Sequence, residues 1–106
     1  VSVAELGFDR ATRYDAICQR AKERGLDLCP PEVGPQLRLQ YLDQPHGEWI
    51  RVAMEAIRDS DGDLNVFGVE HDGVGLRLVS DYGRPDGLWI PGRRFVFRAR
   101  KQLLDT

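Results

Sequence analysis

The residues best equipped for chemistry fall into four groups. In the first, Trp49, Tyr82 and Trp89 offer flat apolar walls, while Glu48, Glu70 and His71 offer charge and a titratable ring. Aromatic walls with a few convergent polar groups are what a small-molecule pocket requires. These carboxylates and imidazole, together with Glu55, Asp72, Asp81 and His46, could act as general acid and base, but nothing in their spacing fixes the distances between them. His71 also shares strand parity with Phe67 and Val69, which suits a half-buried structural histidine. Ser2, Ser60 and Ser80 lack the Gly-x-Ser-x-Gly setting of an activated nucleophile. No catalytic constellation is legible, and the reading leans away from an enzyme.

The second group is cationic. Arg84, Arg93, Arg94, Arg98, Arg100 and Lys101 are opposed in their stretch only by Asp86. Arg94, Arg98 and Arg100 share strand parity and would point to one side of a sheet. Such a face, with Trp89, Phe95 and Phe97 nearby, could neutralise and stack single-stranded nucleic acid. A charged terminal strand that blocks edge pairing is the plainer account. With a net charge of −2 overall, nucleic acid ranks last among the partners considered.

The third group is acidic. Asp59, Asp61, Asp63 and Glu70 stand at relative positions 1, 3, 5 and 12, an EF-hand spacing. The glycine that loop needs at its sixth position is Leu64 here, and the flanks read as strands. An ordinary Asp/Gly turn is the better account, and no metal is expected. The fourth group is Cys18 and Cys29. Small secreted domains carry a denser cysteine framework, so these read as reduced thiols, with a Cys18–Cys29 disulfide as the alternative. No apolar run reaches the length that spans a bilayer. A cytoplasmic protein without membrane contact or cofactor is the expectation.

The elements that must position these residues follow from composition and periodicity. With 42% hydrophobic and 30% charged residues, the chain has globular composition. Its length suits one domain over residues 1–106, and eleven glycines and six prolines imply many turns. Ser2 and Glu5 form a capping-box pattern before a short helix stopped by Gly7. Thr12 and Asp15 repeat that pattern. Tyr14, Ile17, Cys18 and Ala21 then line one stripe of a helix that ends at Gly25. Residues 29–36 carry three prolines and read as a rigid connector, with room for one helical turn opening at Pro31.

Beyond the connector the period becomes 2. Leu37, Leu39 and Tyr41 alternate with polar residues, as do Ile50, Val52 and Met54, which predicts a hairpin across a turn at 43–47. Further strands are predicted at 65–71, around Leu76–Tyr82, and around Phe95 and Phe97. His71-Asp72-Gly73 reads as a tight turn with positive φ available at the glycine. Residues 83–92 form a Gly/Pro loop holding Leu88, Trp89 and Ile90. The tail from about Gln102 reads as frayed. The expected fold is α+β, with N-terminal helices packed on a curved, mainly antiparallel sheet of about five strands in a meander.

The run Leu28-Cys-Pro-Pro-Glu-Val-Gly-Pro-Gln-Leu-Arg-Leu-Gln-Tyr41, with Gly47-Glu48-Trp49 and Phe95-Val96-Phe97, resembles small bacterial proteins carried on mobile gene cassettes. The resemblance spans about residues 3–101. It implies a bacterial cytoplasmic protein, and because that group has no established activity it assigns a role to no residue. Two readings of function stand first. One is a non-enzymatic interaction module that forms a dimer through sheet edges or the Trp49/Trp89 surface. The other is a small-molecule-binding protein or small enzyme, with a pocket between the sheet and the 83–92 loop.

Overall fold

A computed structural model describes residues 1–100 of the chain. The fold is α+β. After a 3-10 turn at Ala4–Leu6 come β1 (Thr12–Arg13), α1 (Tyr14–Glu23), β2 (Leu26–Asp27) and α2 (Val33–Gln40). There follow β3 (Trp49–Val52), β4 (Ile57–Arg58), β5 (Leu64–Asp72), β6 (Gly75–Tyr82), β7 (Leu88–Trp89), β8 (Arg94–Val96) and β9 (Arg98–Ala99). The Gln102 tail and Lys101 lie outside the described residues.

The helix signals resolve in different ways. The Ser2 amide donates to Glu5 Oε1 and the Glu5 amide donates to Ser2 Oγ, which completes the reciprocal cap. The second such signal does not form. Thr12 Oγ1 donates to the Arg10 carbonyl, and Asp15 pairs with Arg13. Instead the Tyr14 and Asp15 amides, the first donors of α1, are taken by the carbonyls of Gly87 and Pro85. Gly25, at φ +81°, ends the helix as its pattern implies. Tyr14, Ile17 and Ala21 are buried with Val3, Leu6, Met54, Val66 and Phe95. The Tyr14 ring stacks on Phe95 at 5.8 Å.

The first predicted strand is a helix. Residues two apart on a helix are separated by about 200°, so Leu37 and Leu39 cannot share a face, and Leu39 is left in solvent. The prolines fall where a helix start leaves amide donors unpaired. Pro30 and Pro31 offer their carbonyls to the Val33 and Gly34 amides, and Pro35 sits in the first turn. Gly34 presses on the sheet: a Cβ there would stand 2.7 Å from Phe67 Cβ.

Five strands form the main sheet. β5 and β6 make an unbroken antiparallel hairpin, from Asn65 opposite Tyr82 to Asp72 opposite Gly75. The positive φ at its turn falls on Gly75 rather than Gly73. On the other side of β5 lie β3 and then β4, both antiparallel to it. The expected meander fails at the far side, where β8 joins β3 in parallel, with Arg51 opposite Phe95. Residues opposite one another project from the same face. One face therefore carries Phe95, Arg51, Gly68 and Val79 in one row and Trp49, Glu70 and Arg77 in the next. The Tyr14–Phe95 core covers part of this face, and α2 lies across β5 and β6 on the other. The Phe95–Phe97 strand is also split: β8 belongs to the main sheet, whereas β9 pairs with β2.

Candidate functional site

A cleft of about 370 Å³ opens between the sheet and the 83–92 loop. Its lining includes Trp49, Tyr82 and Trp89 with Leu88 and Ile90, and its polar groups come from Arg51, Asp81, Arg84 and Arg93. The loop is tied down at several points. Thr12 pairs with Trp89 and Arg13 with Leu88, and the start of α1 holds the Pro85 and Gly87 carbonyls. The Trp89 ring meets Phe95 edge-on at 5.3 Å, which anchors the wall in the core. Tyr82 (70% exposed) and Trp49 (43% exposed) stand free at the mouth. A wall fixed this way needs little reordering when a ligand enters.

The floor of the cleft is ionic. The Arg51 side chain is only 6% exposed, and its Nε donates to Asp81 Oδ2 at 2.6 Å. Its Nη2 lies 3.3 Å from Glu70 Oε1. Glu70 in turn reaches Arg77 at 3.6 Å, and Arg77 reaches Asp72 at 2.9 Å. The ladder crosses three strands. It is possible because Gly68, the residue opposite Arg51, has no side chain: a Cβ there would meet Arg51 Nη1 at 2.9 Å. That Nη1 is buried and has no hydrogen-bond partner among the described residues. Arg93 makes no ion pair among the described residues, and its guanidinium lies 5.3 Å from the Trp49 ring centroid. The Arg51 guanidinium lies 5.7 Å from the same centroid, so two cations lie close to one indole.

Of the residues singled out in the sequence, Trp49, Tyr82 and Trp89 come together here, and Glu70 touches the cleft only through Arg51. Glu48 and His71 lie elsewhere, in a polar network that fixes the 41–48 loop. Tyr41 Oη donates to Glu48 Oε1 at 2.8 Å, and that carboxylate pushes the Tyr41 phenol above its ordinary pKa. His71 Nδ1 donates to the Gln44 carbonyl at 2.6 Å, which places its proton on Nδ1. Gln44 is buried; its side-chain amide donates to Glu48 O and Val69 O and accepts from Arg38 at 2.7 Å. These groups hold one another, and none of them lines the cleft.

The basic end does not form one face. Arg94 stands on β8 and pairs with Glu48 at 3.2 Å. Arg98 stands on β9, in a different sheet, and Arg100 reaches Asp27 at 3.5 Å. The acidic loop is a closed turn. Asp59 Oδ1 accepts from the Asp61 and Asp63 amides and Oδ2 from Asn65, which holds the Asp59 pKa below the ordinary aspartate value. Glu70, its supposed twelfth ligand, is in the ladder with Arg51. Cys18 and Cys29 are free thiols, and burial raises the pKa of both. Among the described residues no helix is long and apolar enough to cross a membrane.

Sequence reasoning missed Arg51, and it set Asp81 among the general carboxylates and Arg93 in the basic end rather than in the cleft. One signal was present: Arg51 is a cation inside an apolar alternation, flanked by Ile50 and Val52, where a strand face reads as polar and solvated. Only the register with Gly68 shows that it is buried. Compared with known proteins, the chain matches no family model, no curated protein and no solved structure.

Proposed function

We propose that this chain is a small-molecule-binding protein whose ligand is flat, largely apolar and anionic, and seats in the cleft between the sheet and the 83–92 loop. The observation that carries the reading is the pairing of aromatic walls with unspent cationic donors. Trp49, Tyr82 and Trp89 supply stacking surface, and among the described residues Arg93 has no carboxylate and the buried Arg51 Nη1 has no hydrogen-bond partner. Guanidinium forks match carboxylate and phosphate oxygens in geometry. The volume lies within the range of small-molecule sites. The two free thiols favour a reducing compartment, and we place the protein in the cytoplasm.

Tryptophan fluorescence tests this directly, because Trp49 and Trp89 are the only indoles and both line the cleft. The probes are 2-naphthoate and its uncharged amide. Saturable quenching by naphthoate, at least about tenfold weaker for the amide and about tenfold weaker in Arg93→Ala, is the expected result. Equal affinity for acid and amide, or binding indifferent to Arg93, would overturn the anionic assignment. Absence of saturable quenching by either probe would count against a flat aromatic ligand.

A further inference from the structure

The main sheet finishes its two outer edges differently. On the β8 side the chain covers itself. The Phe95 amide donates to Val1 O at 2.8 Å, the Val1 ammonium donates to Phe95 O at 2.9 Å, and Ser2 bridges Arg94. On the other side, β6 has no strand beyond it among the described residues, over all of Gly75–Tyr82. Proteins usually protect such an edge with proline, lysine, a bulge or a short strand. β6 has none of these. It is eight residues long, it pairs with β5 without interruption, and Leu76, Leu78 and Tyr82 are exposed along it. Its one cation, Arg77, is turned to Glu70 and Asp72 on the sheet face.

We propose that a second copy of this chain occupies that edge, with the two β6 strands antiparallel about a twofold axis at Val79. Along a strand, alternate residues direct their amide and carbonyl groups to opposite sides. The Asp72–Gly75 pair closes a two-residue turn and is hydrogen-bonded. By alternation Gly75, Arg77, Val79 and Asp81 bond to β5, while Leu76, Leu78, Ser80 and Tyr82 point outward. Two bonds agree with this phase: the Gly83 amide reaches Leu64 O on β5, whereas the Tyr82 amide is taken by Asp81 Oδ1.

A twofold ladder must join outward residues to outward residues, so its axis falls on a residue of β6 and not between two. An axis on Arg77 or Asp81 sets like charges face to face, and an axis on Leu78 or Ser80 leaves both without an opposite charge. An axis on Val79 places Arg77 of each copy opposite Asp81 of the other, Leu76 opposite Tyr82, and Leu78 opposite Ser80. Opposite charges at paired positions stabilise a ladder and like charges oppose it. In this register the ladder Arg77–Glu70–Arg51–Asp81 of one copy continues into Arg77 of the next. The axis runs perpendicular to the sheet, so both clefts open on the same face.

Because Val79 meets its own copy only in this register, the test is built on it. Sedimentation velocity from low-micromolar to near-millimolar protein should show a reversible dimer. Val79→Lys alone and Val79→Glu alone should stay monomeric, and their equimolar mixture should dimerise. A strictly monomeric wild type, a dimeric single variant, or a mixture that does not associate overturns the proposal. Should a variant fail to fold, hydrogen exchange on the wild type decides instead. The amides of Leu76, Leu78 and Ser80 should slow by at least about tenfold as protein concentration rises, while those of Arg77 and Val79 are protected throughout. Outward amides that exchange at the same rate at every concentration overturn it equally.

Discussion

Replacing Arg51 by methionine tests whether the floor of the cleft is held by charge. Methionine fills similar length and can pack beside Trp49 and Phe95, so the loss isolates the guanidinium. Two carboxylates then lose their nearest cation. Asp81, 27% exposed, can be hydrated and costs little. Glu70, 10% exposed, cannot. Stripping one partner from a buried ion pair costs about 3–5 kcal/mol, most of it the penalty of the charge left behind. Arg77 still lies 3.6 Å from Glu70, so the low end applies, about 3 kcal/mol.

The companion variant Arg51→Met/Glu70→Gln removes the stranded charge and should recover about 2 kcal/mol of that loss, because a neutral amide is far cheaper to bury than an unpaired carboxylate. Urea unfolding followed by tryptophan fluorescence reads both numbers. The slope should be unchanged, so that the midpoint shift alone reports stability. A loss below about 1 kcal/mol in the single variant would mean Glu70 is not dependent on Arg51, at the level of an exposed ion pair. A double variant no more stable than the single would refute the reasoning in another way, since the cost would then lie in packing around Trp49.

Three further outcomes follow from other parts of the fold. Tyr14→Phe removes a hydroxyl that donates to Met54 O at 2.7 Å and accepts from the Met54 amide at 2.9 Å. Both backbone groups are buried, and stranding them should cost about 1–3 kcal/mol by urea unfolding. Gly34→Ala drives a methyl to 2.7 Å from Phe67 Cβ; overpacking of this kind costs about 1–3 kcal/mol, read as a lowered thermal midpoint. Asp59 titrates below the ordinary aspartate value because Asn65 and the turn amides favour its ionised form. Its contribution is therefore complete above that ordinary value and is lost as pH falls through the folded-state value. In Asp59→Asn, whose amide oxygen can still accept, the fall in stability between neutral pH and pH about 3 should be shallower than in wild type.

The sequence made α1 legible because its stripe, its glycine stop and its burial all agree. It also carried the three cleft aromatics, since Trp89 in a Gly/Pro loop and Trp49 off the parity of Ile50 had no obvious place in a core. It failed at α2 for a physical reason. Leu37-x-Leu39-x-Tyr41 satisfies a period of 2, and the prolines before it look like breakers. Yet a proline in the first turn sacrifices no helical bond, and Gly34 is what lets the helix approach Phe67. Local periodicity cannot report that approach, because the partner lies thirty-three residues further along the chain.

The same limit explains Arg51. Within β3 it reads as the polar half of an alternation. It becomes the centre of the cleft only when Gly68 is set opposite it, Phe95 beside it in parallel, and Asp81 diagonally across. Three strands must register before one arginine is buried, and any slip of one residue would turn it to the α2 face. A buried guanidinium with two carboxylates at hand and one nitrogen left over is therefore a consequence of the whole sheet. An uncharged residue could fill the space beside Gly68 with no donor to satisfy. That Arg51 occupies it, with Arg93 also beside Trp49, favours an anion as the ligand of this cleft.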